Sequence, residues 1–497
     1  MKKISLSLLL IIIFGAFGIT GFSLGSAQTV PVISYVLSSP VIFATHTELE
    51  GYGFSFGPSD GQFGAIPASS NSYTFYGAAG STSRCVGTPN VREGEFSFTG
   101  TLDHVTGSNG CKRLFGPGDG PAGWVFDANY AGGGQVVRFA ANGENGWLIP
   151  FHAEVWWQNP ATSDHKCSNV NCFYGSLGLA VSTDDGKTFK VAGQILQPSQ
   201  PMSVFTNGGR NMNIGYGSLV VADSNGKHLD NPPADPSGAY FYLFYADLLS
   251  GLSGVCATAV CMGVARAPYA DLVAAALSGD PHKVAKVFHK YDAASPNPWT
   301  QPSTSDTPDQ SGTAGTYAPL WTDEPALQPE VIYDGSFDVY LAVYLSGAGF
   351  KVRTSSDLIH WSGPIGAPYQ ETGRTLHYPT LIGETGDPTI AGPAPRVYFS
   401  SFPTGSFPDY STSVFESVQL MLSHSTGQTT SISRQVPQAS TGIVRSVLLG
   451  WLFGGHLIGK EIVRISQYIL EGHVAISVIA PALAVTISED DHSYRFL

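Results

Sequence analysis

The sequence predicts an all-β protein built from small repeated sheets, set round an axis as the blades of a propeller. Three observations carry that expectation. The composition is that of many short strands joined by turns: 497 residues hold 58 Gly and 33 Pro, aromatics make up 12% and charged residues only 13%. A unit recurs along the chain: an apolar or aromatic strand, a loop, a second strand of alternating pattern and a polar turn. The string Ser182-Thr183-Asp184-Asp185-Gly186-Lys187-Thr188-Phe189 reads as a tight hairpin turn, in which carboxylate and hydroxyl bond backbone groups and glycine supplies the left-handed position.

The chain is long enough for one large β domain or two ordinary ones. Lys+Arg 25 against Asp+Glu 38 gives a net charge of −13, and no basic run occurs. Phosphate recognition needs a positive face, so nucleic acid is excluded as an expected partner.

At the N-terminus, Lys2-Lys3, the apolar run Ile4 to Ile19 and Gly25-Ser26-Ala27 form the pattern of a secretory signal over residues 1–27. The alternative is an uncleaved membrane anchor. No lipobox cysteine is present at this site. The expected location is secreted or periplasmic, with no stable membrane span after signal cleavage. Six cysteines agree with export: a wide pair, Cys85 and Cys111, and two close pairs, Cys167/Cys172 and Cys256/Cys261. The close spacing points to local disulfides. Zinc is the alternative, and His152 and His165 precede the first close pair, but neither pair has His-x-x-x-His support, so no metal site is expected.

Residues 28–111 are rich in Gly, Ser and aromatics, as in Tyr73-Thr74-Phe75-Tyr76, and read as a short N-terminal β segment, either an extension or part of the propeller. The turn-dense Gly116-Pro117-Gly118-Asp119-Gly120-Pro121 leads into Trp124 to Tyr130, and the propeller is expected over 112–423. Copies of the unit are Trp147 to Glu154 with Ser176 to Phe189, Tyr240 to Asp247 with Cys261 to Pro268, Phe337 to Ser346 with Phe350 to Trp361, and Arg396 to Phe402 with Val418 to Ser423. An insertion opens as a short helix over Asp271 to Ala276 and continues as a surface loop over Ser295 to Thr316. Residues 424–441 read as a polar linker. Residues 442–497 are an apolar tail, irregular or helical, in which Arg445, His456, Lys460 and Arg464 interrupt any membrane-length run.

The Ser182 to Phe189 string matches the Asp-box pattern Ser-x-Asp-x-Gly-x-Thr-Phe. With Ser355-Ser356-Asp357-Leu358-Ile359-His360-Trp361 and the repeated tyrosine-rich strands, it makes residues 120–423 resemble the five-bladed propeller glycoside hydrolases of the β-fructosidase and arabinanase superfamily. The resemblance implies a five-bladed β-propeller with an axial pit lined by carboxylates, acting on a carbohydrate. The invertase-type Trp-Met-Asn-Asp-Pro and Arg-Asp-Pro strings are absent, and no sialidase arginine triad assembles, so no narrower family is implied.

Glycoside hydrolysis needs one carboxyl held protonated for the leaving oxygen and another ionised to attack or to activate water. Four residues are candidates. The resemblance places the base near Asp127, in an aromatic strand ahead of the first clear unit. Glu154 ends a strand beside His152 and the Trp156-Trp157 pair, which offers a sugar-stacking surface. Asp247 occupies the same register in the next unit, as Phe244-Tyr245-Ala246-Asp247 aligns with Phe151-His152-Ala153-Glu154. Glu330 begins a strand, as the superfamily's acid does. Each has a plain alternative as a strand-end or turn carboxylate. Arg266 is a cation inside a β pattern, suited to orienting a carboxylate or binding an acidic sugar, or to a structural salt bridge. His377 and Tyr378 line the pit or the core. Asp184, Asp185, Gly186 and Thr188 read as structural; no cofactor is required, and a structural calcium is the alternative for that acidic turn, without an EF-hand loop. The expected function is cleavage of glycosidic bonds in a polysaccharide or oligosaccharide. The alternative is a non-catalytic carbohydrate-binding propeller.

Overall fold

The computed structural model describes residues 32–47, 60–69, 72–78, 81–87, 112–157, 172–204, 212–248, 260–382, 387–392, 395–406 and 409–425, with the backbone of 464–470, 473–479, 485–487 and 494–496. The expected signal, Cys111, Cys167, Cys256, His165 and residues 426–441 of the expected linker lie outside the described residues, while His424 and Ser425 end the strand Val414–Ser425. The chain divides into Met1–Ser425 and Thr426–Leu497.

The first unit is a five-bladed β-propeller. Strands β1 (Val32–Leu37) and β2 (Val41–Thr45) open the chain but belong to its last blade. Blade one is β3 (Gly64–Ser69), β4 (Ser72–Ala78), β5 (Thr82–Gly87) and β6 (Lys112–Phe115). Blade two is β7 (Tyr130–Gly132) and β8 (Val137–Ala141) on the inside, then β9 (Glu144–Trp157), β10 (Cys172–Ser182) and β11 (Lys190–Leu196). Blade three is β12 (Met212–Asp223), β13 (Ala239–Asp247), β14 (Cys261–Pro268), β15 (His289–Lys290) and β16 (Gln301–Pro302), with helices α1 (Tyr269–Leu277) and α2 (Pro281–Val287) inserted after β14. Blade four is β17 (Leu327–Asp334), β18 (Val339–Ser346) and β19 (Gly349–Ser355). Blade five is β20 (Arg374–Ile382), β22 (Arg396–Pro403) and β23 (Val414–Ser425); the two-residue β21 (Ile390–Ala391) pairs with β17 instead. β1 and β2 both pair antiparallel with β23, so the start of the chain closes the last blade. Closure in this way ties the start of the chain to the outer side of the last blade, beyond β22 and β20.

Alternating side chains on each strand face the two neighbouring blades, and five apolar seams result. Phe115, Ile149 and Phe151 lie between blades one and two. Leu177, Leu219, Leu243 and the α1 residues Leu272 and Val273 fill the next seam. Phe244, Val331 and Tyr344 fill the third, and Leu341, Phe399 and Val418 the fourth. The closing seam is aromatic: Phe63 lies 6.2 Å from Phe43 and 5.2 Å from Phe415. Such pairs add to plain area burial through edge-to-face geometry.

The turn at Ser182 to Phe189 is held from within. Asp184 accepts from the Thr188 amide at 2.9 Å and the Thr188 hydroxyl at 2.6 Å, while Ser182 Oγ takes the Gly186 amide at 3.0 Å. These donors pull the Asp184 carboxyl down to about 2, although burial opposes them. The residues read as a surface loop, Ser295 to Thr316, instead bury Ser303 and Gln310. Gln310 exchanges amide bonds of 2.7 and 3.0 Å with Gln194 of β11, which lets so polar a segment seat against the blade. In the second unit, β24 (Arg464–Leu470) pairs with β25 (His473–Ile479), and β26 (Val485–Ile487) with β27 (Tyr494–Phe496), so the described tail backbone is extended.

Candidate functional site

The innermost strands bulge where they enter the propeller. Register shifts fall at Gly215/Ser218 in β12, Leu327/Glu330 in β17 and His377/Thr380 in β20. Each holds one residue in the left-handed region: Tyr216 at φ 66°, Gln328 at φ 51° and Tyr378 at φ 56°. A bulge of this kind re-aims a side chain, here toward the axis.

Two polar layers follow. The deeper contains Gln62, Gln135, Ser218, Glu330 and Thr380, one from each blade and all buried. Bonds between non-adjacent blades locate it on the axis. Gln62 Nε2 of blade one donates to Pro329 O of blade four at 2.7 Å, and Gln135 Nε2 of blade two donates to Glu330 Oε1 of blade four at 2.9 Å. Backbones crowd here as well: a Cβ on Gly134 would stand 1.9 Å from Gln62 O, so only glycine fits. Burial pushes the Glu330 carboxyl well above its ordinary range, opposed by the Gln135 bond. Its Oε2 has no partner among the described residues.

The outer layer stands two residues earlier on four of the strands: Asp60, Tyr216, Gln328 and Tyr378. Tyr130 joins from blade two. Asp60 Oδ1 accepts from Tyr378 Oη at 2.8 Å and from Tyr410 Oη, while Tyr130 Oη bonds the Asp60 carbonyl. Tyr216 hydrogen-bonds Gln328 and Tyr378, and its ring stacks on His152 with centroids 5.6 Å apart. His152 Nε2 lies 3.0 Å from Glu154 Oε1, with side-chain exposures of 7% and 12%, and Trp156 Nε1 bonds Glu154 Oε2. Asp60 and Glu154 sense each other. Burial raises the Asp60 carboxyl to about 6; the Tyr410 and Tyr378 hydroxyls oppose this, the negative charge of Glu154 adds to it, and His152 opposes it.

Of the residues predicted from sequence, His152, Glu154, Trp156 and Tyr378 meet in this cluster, and His377 adjoins it, 5.8 Å from the Tyr378 ring. Burial depresses the His377 imidazole to about 4. The backbone of Trp157 pairs with Cys172; its side chain lies outside the described residues. Four predicted residues lie elsewhere. Glu330 is in the deeper axial layer. Asp127 sits in the loop before β7, bonded by the Gly120 amide and its own; burial raises it to about 6, and the charge acting on it is Asp119. Asp247 ends β13 in the seam toward blade two, where it acts on Lys290, Tyr245 and Tyr317. Arg266 stacks 4.3 Å over Trp299 and 4.4 Å over Tyr240, and donates to Ser224 O at 2.8 Å.

Sequence reasoning missed Asp60, Tyr130, Tyr216, Gln328 and Tyr410. A signal existed: Asp60-Gly61-Gln62-Phe63, Tyr216-Gly217-Ser218-Leu219, Gln328-Pro329-Glu330-Val331 and Tyr378-Pro379-Thr380-Leu381 share one pattern of polar or tyrosine, Gly or Pro, polar, apolar. Among the described residues, no group of three or more His, Cys, Asp or Glu is arranged to hold a metal ion, and no helix is long and apolar enough to cross a membrane.

Fold and cluster together define a five-bladed propeller with an acidic, aromatic axial site. No family model and no curated protein matches the sequence. Among solved structures, the catalytic domain of a Coprinopsis cinerea GH62 α-L-arabinofuranosidase aligns at TM-score 0.39 and 10% identity, over 78% of this chain and 97% of that one. A family 117 glycoside hydrolase from Zobellia galactanivorans aligns at 0.37 and 6%, over 78% and 90%. A Cellvibrio cellulosa α-L-arabinanase aligns at 0.34 and 9%, over 71% and 88%. No residue role is carried across at these values.

Proposed function

We propose that this chain is a secreted glycoside hydrolase acting at the axial cluster, with Asp60 and Glu154 as its acid and base. The observation that carries the reading is that these two carboxyls come from neighbouring blades into one cluster yet have unlike surroundings. Asp60 is half-buried under two tyrosines and raised by desolvation to about 6, so it holds a proton under mildly acidic conditions. Glu154 is held by His152 and Trp156. In the proposed reaction Asp60 protonates the leaving glycosidic oxygen. Glu154 attacks the anomeric carbon or takes a proton from the attacking water.

Trp156, 40% exposed beside Glu154, offers a face for a sugar ring. The residues bonded or stacked in the cluster, among those described, are carboxyls, tyrosines, His152, Gln328 and Trp156, a set suited to the hydroxyls of a neutral glycan. Export rests on the N-terminal sequence and on the cysteine spacing, which suits an oxidising destination.

The test is turnover of a panel of aryl α- and β-furanosides and pyranosides and neutral oligosaccharides by the purified chain. Glu154→Gln and Asp60→Asn are each expected to lower kcat by about 10²- to 10⁴-fold. Full turnover by both variants defeats the mechanism. Binding of oligosaccharides without cleavage by the native chain leaves a carbohydrate-binding propeller.

A further inference from the structure

We infer that Tyr378 and Tyr410 are positioning residues that bind one oxygen of Asp60 from two sides, and so assign the transferable proton to the other oxygen. The inference rests on the proposed function for its chemical meaning, and on geometry for its substance.

Both phenols come from blade five, and Asp60 precedes the inner strand of blade one. Tyr378 sits in the left-handed position of the β20 bulge, at φ 56°, a conformation costly for a tyrosine. Tyr410 opens a one-turn helix, Tyr410–Thr412, capped by Asp409, whose side chain accepts from the Ser411 amide at 3.2 Å. A strained bulge and a capped turn thus deliver two hydroxyls to the same atom, Asp60 Oδ1. Among the described residues, no hydrogen bond reaches Oδ2.

A carboxyl oxygen accepting two O–H donors is a poor place for its own proton, because the hydrogen would face two others. The acid proton therefore resides on Oδ2. Transfer to a substrate oxygen breaks the Oδ2–H bond and leaves the negative charge shared with Oδ1, where two donors already stand to receive it. Little has to reorganise when the proton leaves. The other groups acting on Asp60 are Glu154, which favours the protonated form, and His152, which favours the ionised one. The phenols of Tyr130 and Tyr216 also feel the Asp60 charge.

Tyr378→Phe and Tyr410→Phe in the full chain provide the test, with two readouts. The first is direct titration of the Asp60 carboxyl by infrared difference spectroscopy, assigned with Asp60→Asn, and it needs no substrate. Each Phe variant is expected to move this titration to higher pH, by about one unit per lost donor. Replacing Tyr410 by 3-fluorotyrosine, a stronger donor of the same shape, is expected to move it the opposite way. The second is kinetic: kcat falls by about 10-fold in each variant while KM stays within about twofold. An Asp60 titration unmoved in Tyr378→Phe and by the fluorotyrosine overturns the inference, whatever happens to activity. If one Phe variant fails to fold, the other variant and the fluorotyrosine still decide. A native chain without glycosidase activity defeats the proposed function but leaves the titration test standing.

Discussion

Gln135 and Glu330 meet across the propeller axis from blades that are not neighbours, with Gln135 Nε2 2.9 Å from Glu330 Oε1 and 3.1 Å from Ser218 Oγ. The same glutamine accepts the Leu219 amide through Oε1, so one side chain ties blades two, three and four together. Glu330 serves here as a neutral acceptor. Burial holds its carboxyl far above the usual range, so the folded state keeps the proton that the unfolded chain gives up near pH 4.5. Its contribution is full below that pH and disappears only as pH climbs through the raised folded value. Glu330→Gln, which keeps a carbonyl acceptor and no charge, is expected to match the native melting temperature at pH 5 and to exceed it above pH 8. Glu330→Ala removes the acceptor and opens a cavity, at a cost of about 2–4 kcal/mol. Thermal melts across pH check both; a Gln variant less stable than native at alkaline pH would refute the neutral-acceptor role.

Asp127 has a raised carboxyl without a place in the axial cluster. Its bonds go to backbone amides of its own loop, and a Cβ on Gly120 would stand 2.6 Å from its Oδ1, so it shapes the turn between β6 and β7. Asp127→Asn is expected to leave kcat within about twofold and to change stability by about 1 kcal/mol or less, since the amide retains an acceptor for those donors. A loss of turnover like that of Glu154→Gln would return Asp127 to the reaction.

What the sequence revealed was the middle of four of the five blades. The four recurring units correspond to β9 with β10, β13 with β14, β18 with β19 and β22 with β23, hairpins whose regular alternation survives because both faces pack on neighbouring blades. The inner strands were hidden. Each is broken at the axis by Gly or Pro and by a polar side chain, and three of them by a bulge, the features that read as a turn when met in sequence. Glu154 and His152 were visible because they lie at the end of a legible strand. Asp60 follows a Gly- and Ser-rich stretch, and only the pattern that Asp60-Gly61-Gln62-Phe63 shares with the inner strands of three other blades marks it as the blade-one member of the axial ring. Glu154 and Asp247 lie on the equivalent strands β9 and β13 but face different partners across one seam: Glu154 meets His152 and Tyr216, whereas Asp247 acts on Lys290 and Tyr317.

That seam carries its own prediction. Lys290 is buried; its Nζ donates to Gln197 O and Gly315 O, each at 2.9 Å. Burial lowers the ammonium to about 8, and Asp247 opposes the shift. Asp247→Asn removes that opposing charge. A buried cation deprived of its partner is expected to cost about 3 kcal/mol at pH 7. The loss shrinks as pH rises and Lys290 gives up its proton, so denaturant midpoints of native and variant converge toward pH 9. A gap independent of pH would show that the Asp247 charge does not support Lys290.

Blade five, where the chain closes on itself, contains a carboxyl pair. Glu416 of β23 is raised to about 7, first by burial and then by the charge of Glu371, with Ser401 and Arg374 opposing. Glu371 accepts from Ser401 Oγ at 2.7 Å and Tyr369 Oη at 2.9 Å, and lies 3.5 Å from Arg374 Nε. The proton held by Glu416 stabilises the fold fully below pH 4.5, and the benefit is lost as pH rises through 7, when two carboxylates face each other. With a net charge of −13, general repulsion also grows over that range. Closure of the ring by β1, β2 and β23 is thus strongest in acid. Glu416→Gln is expected to leave stability unchanged at pH 5 and to raise it by about 1–2 kcal/mol at pH 8. Hydrogen exchange should localise the gain to β1, β2 and β23, whose bonds cross the closure. A variant whose stability curve keeps the native slope between pH 5 and pH 8 would remove the pair from the pH response of the fold.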